Sequence, residues 1–501
     1  MTDIEKNMEK PDSEMEAKGE EVAIIEDFVT GSKVKSLLTK LSSGGVEIRG
    51  LEPVPPEART HTKYYNILTL FGGSFISILP LSIGTTPTLV FGLSLNHAII
   101  MIITMQLLFV LPTLYILTLA PLLGMRQSVQ YRYVFGKYPN ALVCVIIIIE
   151  IGIFGILAAV AGGECLAAIR PGTLPVEAGI SIIMVVAIFI GFFGYRCLHI
   201  VCQYIWIPNS IALFVLVGCG ASGLHNRVPT TSSGAGPYLS TVAICASNMA
   251  TWGTIIGDYA CYMPPRAPRV RLALYCFTGL YIPFTLMMIF GAAIGASIPA
   301  NETWLLAYQQ GSLGGVLGEI LTSRVGNFGR FVLFILGFSI VTTSARDMYS
   351  ISLFAVGVVP WLRRMPRIIL VLFVAGAMIG LGIAASRAFL AALTTLVSIA
   401  GYITGPAVSI FLTEWFVFRK ADPASIDPKI WNSHALLPSG IPAVIATIAP
   451  WSLIITSMST AWYVGPIARH TGDLAYELGA VTSILLYIPT RWLEIRYRGR
   501  L

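Results

Sequence analysis

A chain of 501 residues that is 55% hydrophobic, only 12% charged and has a mean hydropathy of +0.75 excludes an ordinary water-soluble globular protein, whose charged share runs near about 25%. The excess of 33 Lys and Arg over 26 Asp and Glu, +7 in all, calls for no nucleic-acid partner, because the inner loops of a membrane protein retain basic residues. None of the eight cysteines forms a CxxC pair, and their places in or beside apolar runs read as small core residues, not disulfides or zinc ligands.

Residues 1–62 are polar, with 13 Asp and Glu in the first 60. They have too few apolar positions in any period to build a core and read as a cytosolic tail. This stretch lacks the basic start and short apolar run of a signal peptide, so the first membrane helix does the targeting. The transporter-like domain follows over 63–492, where apolar runs alternate with short polar breaks. Twelve runs are expected to cross about 30 Å of hydrocarbon: 66–95, 98–121, 141–169, 177–195, 198–222, 237–262, 271–298, 329–358, 367–385, 388–418, 440–464 and 473–491. A short basic tail, 493–501, closes the chain.

Basic residues set the expected orientation, since Lys and Arg stay on the cytoplasmic side. Thirteen fall in loops after even-numbered helices, from Arg126 to Lys429, against six after odd-numbered ones: Arg170, Arg227, Arg324, Arg330, Arg387 and Arg469. Arg496, Arg498 and Arg500 follow the last helix, so both termini are expected inside. The Asn301-Glu302-Thr303 sequon then falls outside.

Two helices are interrupted, five helices apart. Helix 1 carries Gly72, Gly73, Gly84 and Pro87, and helix 6 carries Gly253 and Gly257 after Trp252. Paired breaks of this kind point to inverted repeats around a midplane site. Charge within the apolar runs is the second pointer, because each ionised group there costs about 2.5–3.5 kcal/mol or more. The candidates are Glu150 and Glu164 on helix 3, Asp258 on helix 6, and Arg346 beside Asp347 on helix 8. An internal ion pair of Arg346 with Glu150 or Asp347 is the structural reading; a place facing the central cavity is the functional one for Glu150 and Asp347. Glu150, Phe154 and Ala158 share one face of helix 3, as Thr343 and Asp347 do on helix 8. With Trp252 they would form a slot for a flat ring.

The chain resembles fungal purine–cytosine permeases of the nucleobase–cation symporter-1 family. The resemblance rests on Val54-Pro55-Pro56-Glu57-Ala58-Arg59-Thr60, Phe91-Gly92-Leu93, Gly124-Met125-Arg126-Gln127, Arg132-Tyr133, Phe135-Gly136, Gly162-Gly163-Glu164, Asp258-Tyr259, Tyr349-Ser350 and Trp462-Tyr463-Val464-Gly465-Pro466-Ile467-Ala468. It implies an all-α, leucine-transporter-like bundle of two five-helix inverted repeats, about 66–222 and 237–418, with two extra helices over about 440–491. It also implies alternating access, uptake of a heteroaromatic solute by proton symport, and a plasma-membrane location.

The same resemblance implies the solute site. Phe154 stands where the family usually has Trp, Ala158 where many members have Asn, and Trp252 keeps the family's helix-6 indole. Asp347 replaces a substrate-facing Asn; Ser82 is kept with Ser77 near it, Pro80 stands where a small polar residue is common, and Gly253 and Thr343 complete the candidate set. Ionised Asp offers acceptors only, whereas Asn offers both a donor and an acceptor. Sodium-dependent relatives set two adjacent hydroxyls of helix 8 against helix-1 carbonyls; the matching pair here reads as Val341-Thr342, a poor cage for a hard cation. Protons are the expected driver, with Glu150 and Asp347 as carriers, and no cofactor or resident metal is expected. Some features, Gly162-Gly163-Glu164 among them, also resemble carriers of vitamin B6-type rings. The partners are a small heteroaromatic molecule and the bilayer. An enzyme lacks its constellation here, with no HExxH or GxSxG. A nutrient sensor that binds without accumulating is the other alternative.

Overall fold

The computed structural model describes residues 51–192, 194–226, 234–359, 361–362, 365 and 367–501. The acidic tail through residue 50 and the loop cations Arg227, Arg363 and Arg364 lie outside the described residues. What is described is helical, and among the described residues the only β-type pairing is a single bridge, Ser459 to Val464.

The first apolar run is split into α1 (Asn66–Phe75) and α2 (Ile78–Gly84). A membrane-length pair is formed when α2 is counted on to Leu89, and it is bent by 58°. The glycines and proline expected to make this break do not make it. The helix opens at Ile76 (ψ 70°) and Ser77, which is extended at φ −150°, ψ 168°. Gly84 serves close packing instead. A Cβ there would collide with the Met288 backbone, as one at Gly291 would with Leu81.

Next come α3 (Leu95–Leu123), α4 (Asn140–Ile169), α5 (Val176–Phe192) and α6 (Gly194–Gly220). α7 (Gly236–Ala250) gives way to two 3-10 turns, Thr251–Thr254 and Ile256–Tyr259, so the second break lies just where Trp252 and the glycines placed it. α8 (Arg269–Ala300) contains a π-turn at Phe277–Tyr281. α9 (Glu302–Phe338) occupies chain expected to be largely loop; it is kinked by non-helical backbone at Gly311, Ser312 and Gly326. α10 (Val341–Val358), α11 (Arg367–Ser386) and α12 (Phe389–Thr413) follow. The eleventh expected run is two short helices, α13 (Ile441–Ile448) and α14 (Trp451–Ser457), with a turn in place of its last residues. α15 (Ala475–Arg498) absorbs most of the expected basic tail.

Among the described residues, seven helical stretches are long and apolar enough to cross a membrane, and eight with the bent α1–α2 pair. One of these stretches, Glu302–Val358, joins α9 and α10, while α5 and α13–α14 fall in the shorter apolar class. α4 is the central post, packed against α5, α9, α10, α11 and α12. The outward faces of the long helices keep large apolar side chains exposed, among them Ile100, Leu108 and Leu111 on α3 and Phe373 on α11. In water such a surface would be costly; against lipid tails it is the matching surface.

Polar side chains close the helix ends. Arg59 of the Val-Pro-Pro-Glu-Ala-Arg-Thr motif donates from Nη1 to the carbonyls of Pro121 (3.0 Å) and Leu122 (3.2 Å) and from Nη2 to that of Leu123 (3.3 Å). A cation on the last carbonyls of α3 satisfies groups the helix leaves orphaned and complements its dipole. The Asn301 amide of the sequon donates to the carbonyls of Gly223 (3.2 Å) and Ser297 (2.7 Å), clasping two chain segments. Glu164 packs close to α9 near its first kink, where a Cβ at Gly314 would collide with the Glu164 backbone. Asp258 accepts from the Gln127 N–H at 2.6 Å, tying the second break to the loop after α3.

One buried ion cluster joins α12 to α15. Glu414 follows α12 in the π-turn Glu414–Phe418. Its two carboxylate oxygens accept from Arg491 Nη2 and Nε (3.0 Å each), and one also accepts from the Tyr487 hydroxyl (2.9 Å). Arg419 stands 3.0 Å away on the other side.

Candidate functional site

The break in α1 leaves carbonyls with no helical partner, and the start of α10 meets them. Thr343 Oγ1 donates to the Ser74 carbonyl at 3.1 Å, Thr342 Oγ1 to the Gly73 carbonyl at 3.4 Å, and Ser339 Oγ accepts from the Ile78 N–H at 3.2 Å. The adjacent hydroxyls facing helix 1 are therefore Thr342 and Thr343, one residue on from the expected Val341-Thr342, because Val341 turns into the buried core. Ser77 Oγ donates to the Ser74 carbonyl (2.9 Å) and Ser82 Oγ to the Ile78 carbonyl (3.0 Å), so both serines turn back on their own chain.

The break after α7 swings Trp252 against α1. Its half-buried indole meets Phe71 edge-on, with ring centres 5.5 Å apart, and Phe75 edge-on at 5.1 Å. Phe71 in turn meets Tyr259 at 5.6 Å. From α10, the Arg346 guanidinium lies over Trp252, 4.6 Å from its ring centre, and 5.4 Å from that of Phe75. Cations settle on such faces because the ring quadrupole is negative there.

Arg346 pairs with Asp347, one of the two acids the sequence offered it. Nε and Nη2 both donate to Oδ1, at 3.2 and 3.0 Å. Both side chains are buried, Arg346 at 1% exposure, yet Arg346 Nη1 and Asp347 Oδ2 have no partner. Opposite them α4 carries Gly155, where a Cβ would stand 3.4 Å from Asp347 Oδ2. The carboxylate is thus set against the bare backbone of α4. Glu150, also buried, accepts from Thr254 Oγ1 at 2.8 Å on the first 3-10 turn.

The remaining candidates fall differently. Phe154 is half-buried on α4 and shares no ring contact with Trp252; the indole's aromatic neighbours come from α1 instead. Ala158 is fully buried. A Cβ at Gly253 would meet Ile116 (3.1 Å) and Val408 (3.5 Å), so this glycine lets the turn pack on α3 and α12. The sequence reading missed Phe71, Phe75 and Thr254. Phe71 and Phe75 carried a usable signal, since two aromatics four residues apart just before a break share one helix face.

Two broken helices meeting inside a bundle of lipid-facing apolar helices, with aromatic rings and buried acids at the meeting point, define a membrane transport protein and not an enzyme. The family follows from the matched chain. Residues 53–479 match the permeases for cytosine/purines, uracil, thiamine and allantoin, and the chain belongs to that family, the nucleobase–cation symporter-1 type. It is 28% identical to the purine-cytosine permease fcyB of Emericella nidulans, over 99% of each chain. To the purine-cytosine permease FCY21 of Saccharomyces cerevisiae it is 27% identical, over 93% of this chain and 90% of the relative. The vitamin B6 transporter TPN1 of Saccharomyces cerevisiae is 25% identical over 93% of this chain and 90% of its own. Among solved structures, the fold is similar to that of Mhp1, a nucleobase-cation-symport-1 family transporter, in a closed conformation with bromovinylhydantoin bound. Its TM-score is 0.69 and its sequence identity 13%, over 90% of this chain and 97% of that one. The inward-facing conformation of Mhp1 gives a TM-score of 0.65.

Proposed function

We propose that this permease imports a nucleobase-like heteroaromatic solute, of purine or cytosine type, by proton symport with alternating access. The observation that carries the reading is the meeting of the two helix breaks at Trp252, with polar groups of α10 beside it. A flat ring suits such a place: apolar faces contribute stacking, and a few fixed polar groups select ring substituents. Trp252 and Asp347 are the principal solute contacts, with Ser77, Ser82, Phe154, Ala158, Gly253 and Thr343 completing the lining. The relatives named for purines and cytosine support this choice of ring over the vitamin B6 type of TPN1.

In this reading the chain crosses the plasma membrane twelve times with both termini in the cytoplasm. Two five-helix inverted repeats put the α1–α2 break and the break after α7 in matching places, and two further helices follow. Glu150 and Asp347 are the proton carriers, being buried acids on the two helices that flank the site. The membrane potential adds about 2.3 kcal/mol per charge for each 100 mV to the pH gradient. Thr342 and Thr343 already donate to the helix-1 carbonyls. Two hydroxyls against those carbonyls are oxygens a hard cation would use, so sodium is the alternative driver that the uptake assay separates from protons.

The test is uptake in a yeast strain lacking its own purine, cytosine and pyridoxine permeases, with labelled adenine, cytosine, hypoxanthine, orotate and pyridoxine at two external pH values. Acid-stimulated accumulation of a nucleobase-like ring is expected. No accumulation of any ring by correctly localised protein would overturn transport and leave a sensor; sodium-dependent uptake insensitive to pH would overturn the coupling.

A further inference from the structure

Among the described residues, two buried acids face arginine, and they are satisfied very differently. Glu414 has both oxygens engaged, by Arg491 and Tyr487, with Arg419 close by. Asp347 has one oxygen engaged and the other without a partner, and Arg346 keeps Nη1 without one as well. A buried charged group left half-satisfied is costly. Arg346 and Asp347 are neighbours on α10, so their pairing ties no two helices together, whereas Glu414 shows how this fold completes a pair that does. The Arg346 guanidinium also lies over Trp252, where the two breaks meet, while Asp347 Oδ2 faces Gly155 of α4.

A guanidinium is a flat fork of donors whose natural partner is a carboxylate, taken on two parallel hydrogen bonds. Arg346 holds that fork over the indole, so an incoming ring acid could contact the cation and the aromatic wall together. If Asp347 takes up a proton, Arg346 becomes an uncompensated buried cation unless another anion replaces it. Proton and anion are therefore drawn in together.

We propose that the solute is a planar heteroaromatic ring bearing a carboxylate, and that protonation of Asp347 hands Arg346 from Asp347 to the carboxylate of that solute. The inference rests on the transport reading above and names the ring's decisive substituent. The balance is simple: Asp347 gains one proton, the solute brings one negative charge, and the site's net charge is unchanged. The other groups acting electrostatically on this pair are Glu150 on α4 and Tyr259 on the second 3-10 turn. Tyr259 shares its hydroxyl with Ser350 Oγ at 3.3 Å. Among the neighbours of α10, α1 has no ionisable side chain, and Glu177 of α5 is exposed.

The test uses matched ring pairs that differ only in the carboxylate, orotate against uracil and nicotinate against nicotinamide, in uptake by the full-length protein and in binding to purified protein in detergent. Orotate is expected to be taken up at least tenfold better than uracil, with the same order for nicotinate. Arg346→Gln is expected to lose at least tenfold in orotate affinity, and Arg346→Lys, which keeps the charge without the fork, to lose less. From about pH 5 to about pH 8 orotate stays ionised. Wild-type affinity for it should fall by up to tenfold per pH unit once Asp347 ionises, while Asp347→Asn should show a shallower pH dependence, that of Glu150 alone. Uracil carried as well as orotate, or orotate binding that Arg346→Gln leaves intact, would overturn the inference and leave the transport reading standing. Failure of every ring would overturn both.

Discussion

Replacing Trp252 with Ala removes three contacts at once: edge-on pairs with Phe71 and Phe75 and the Arg346 guanidinium over its face. Each aromatic pair is worth about 0.5–1.5 kcal/mol, and a desolvated cation–π contact about 2 kcal/mol. Their loss comes to roughly 3–5 kcal/mol of order at the meeting of the two breaks. If about 3 kcal/mol of it is expressed in solute affinity, binding weakens roughly 150-fold, and uptake at micromolar solute should vanish. Trp252→Phe keeps a ring against α1 and weakens mainly the cation contact. A loss of about 1 kcal/mol, roughly fivefold in affinity, is expected there. Both variants should reach the membrane, because the indole is half-buried at an internal break and not in the packed interface of α4. Initial uptake rates against solute concentration, beside fluorescence localisation of tagged protein, separate the outcomes. Normal uptake by Trp252→Ala would refute the placement of the site at this indole.

Gly84→Val should cost about 1–3 kcal/mol or more, since even a Cβ there collides with the Met288 backbone of α8; membrane abundance and thermal unfolding in detergent should both fall. Gly152→Ala is the contrast: nothing lies within 4 Å of its Cβ position, so stability should hold or rise by up to about 1 kcal/mol. His61 lies before the first helix, with Nε2 2.9 Å from Asn66 Nδ2. Burial first, and then Lys63, hold its imidazolium below the usual histidine range. Its contribution is therefore present above the ordinary histidine pKa and lost as pH falls through it toward the lower folded value. Limited proteolysis of residues 51–62 should quicken at mildly acidic pH in the wild type and lose that dependence in His61→Gln.

Much of the bundle was legible because hydrocarbon imposes a length on each apolar run, and runs such as 141–169 and 388–418 reappear within a few residues as α4 and α12. The break after α7 was legible because glycine flanks Trp252. The break in the first span was misplaced, since Ile76 and Ser77 have no intrinsic tendency to open a helix. What opens them is tertiary: Thr342, Thr343 and Ser339 receive the freed backbone groups, and those residues lie over 260 positions away. α9 was missed because its kinks at Gly311-Ser312 and Gly326 divide it into pieces too short and polar to read as spans. The acids of the site were legible as charge in apolar surroundings. Which of them holds Arg346 was not, because Glu150 and Asp347 are equivalent until the helices pack.

The Glu414 cluster bears on how the protein is made. Its partner Arg491 follows it by 77 residues, so it leaves the ribosome well after Glu414 and α12. Until then Glu414 has only Arg419 nearby, and the seam between α12 and α15 stays open. α15 is thus a keystone: a chain released before Arg491 is made leaves an uncompensated acid in the wall of the bundle.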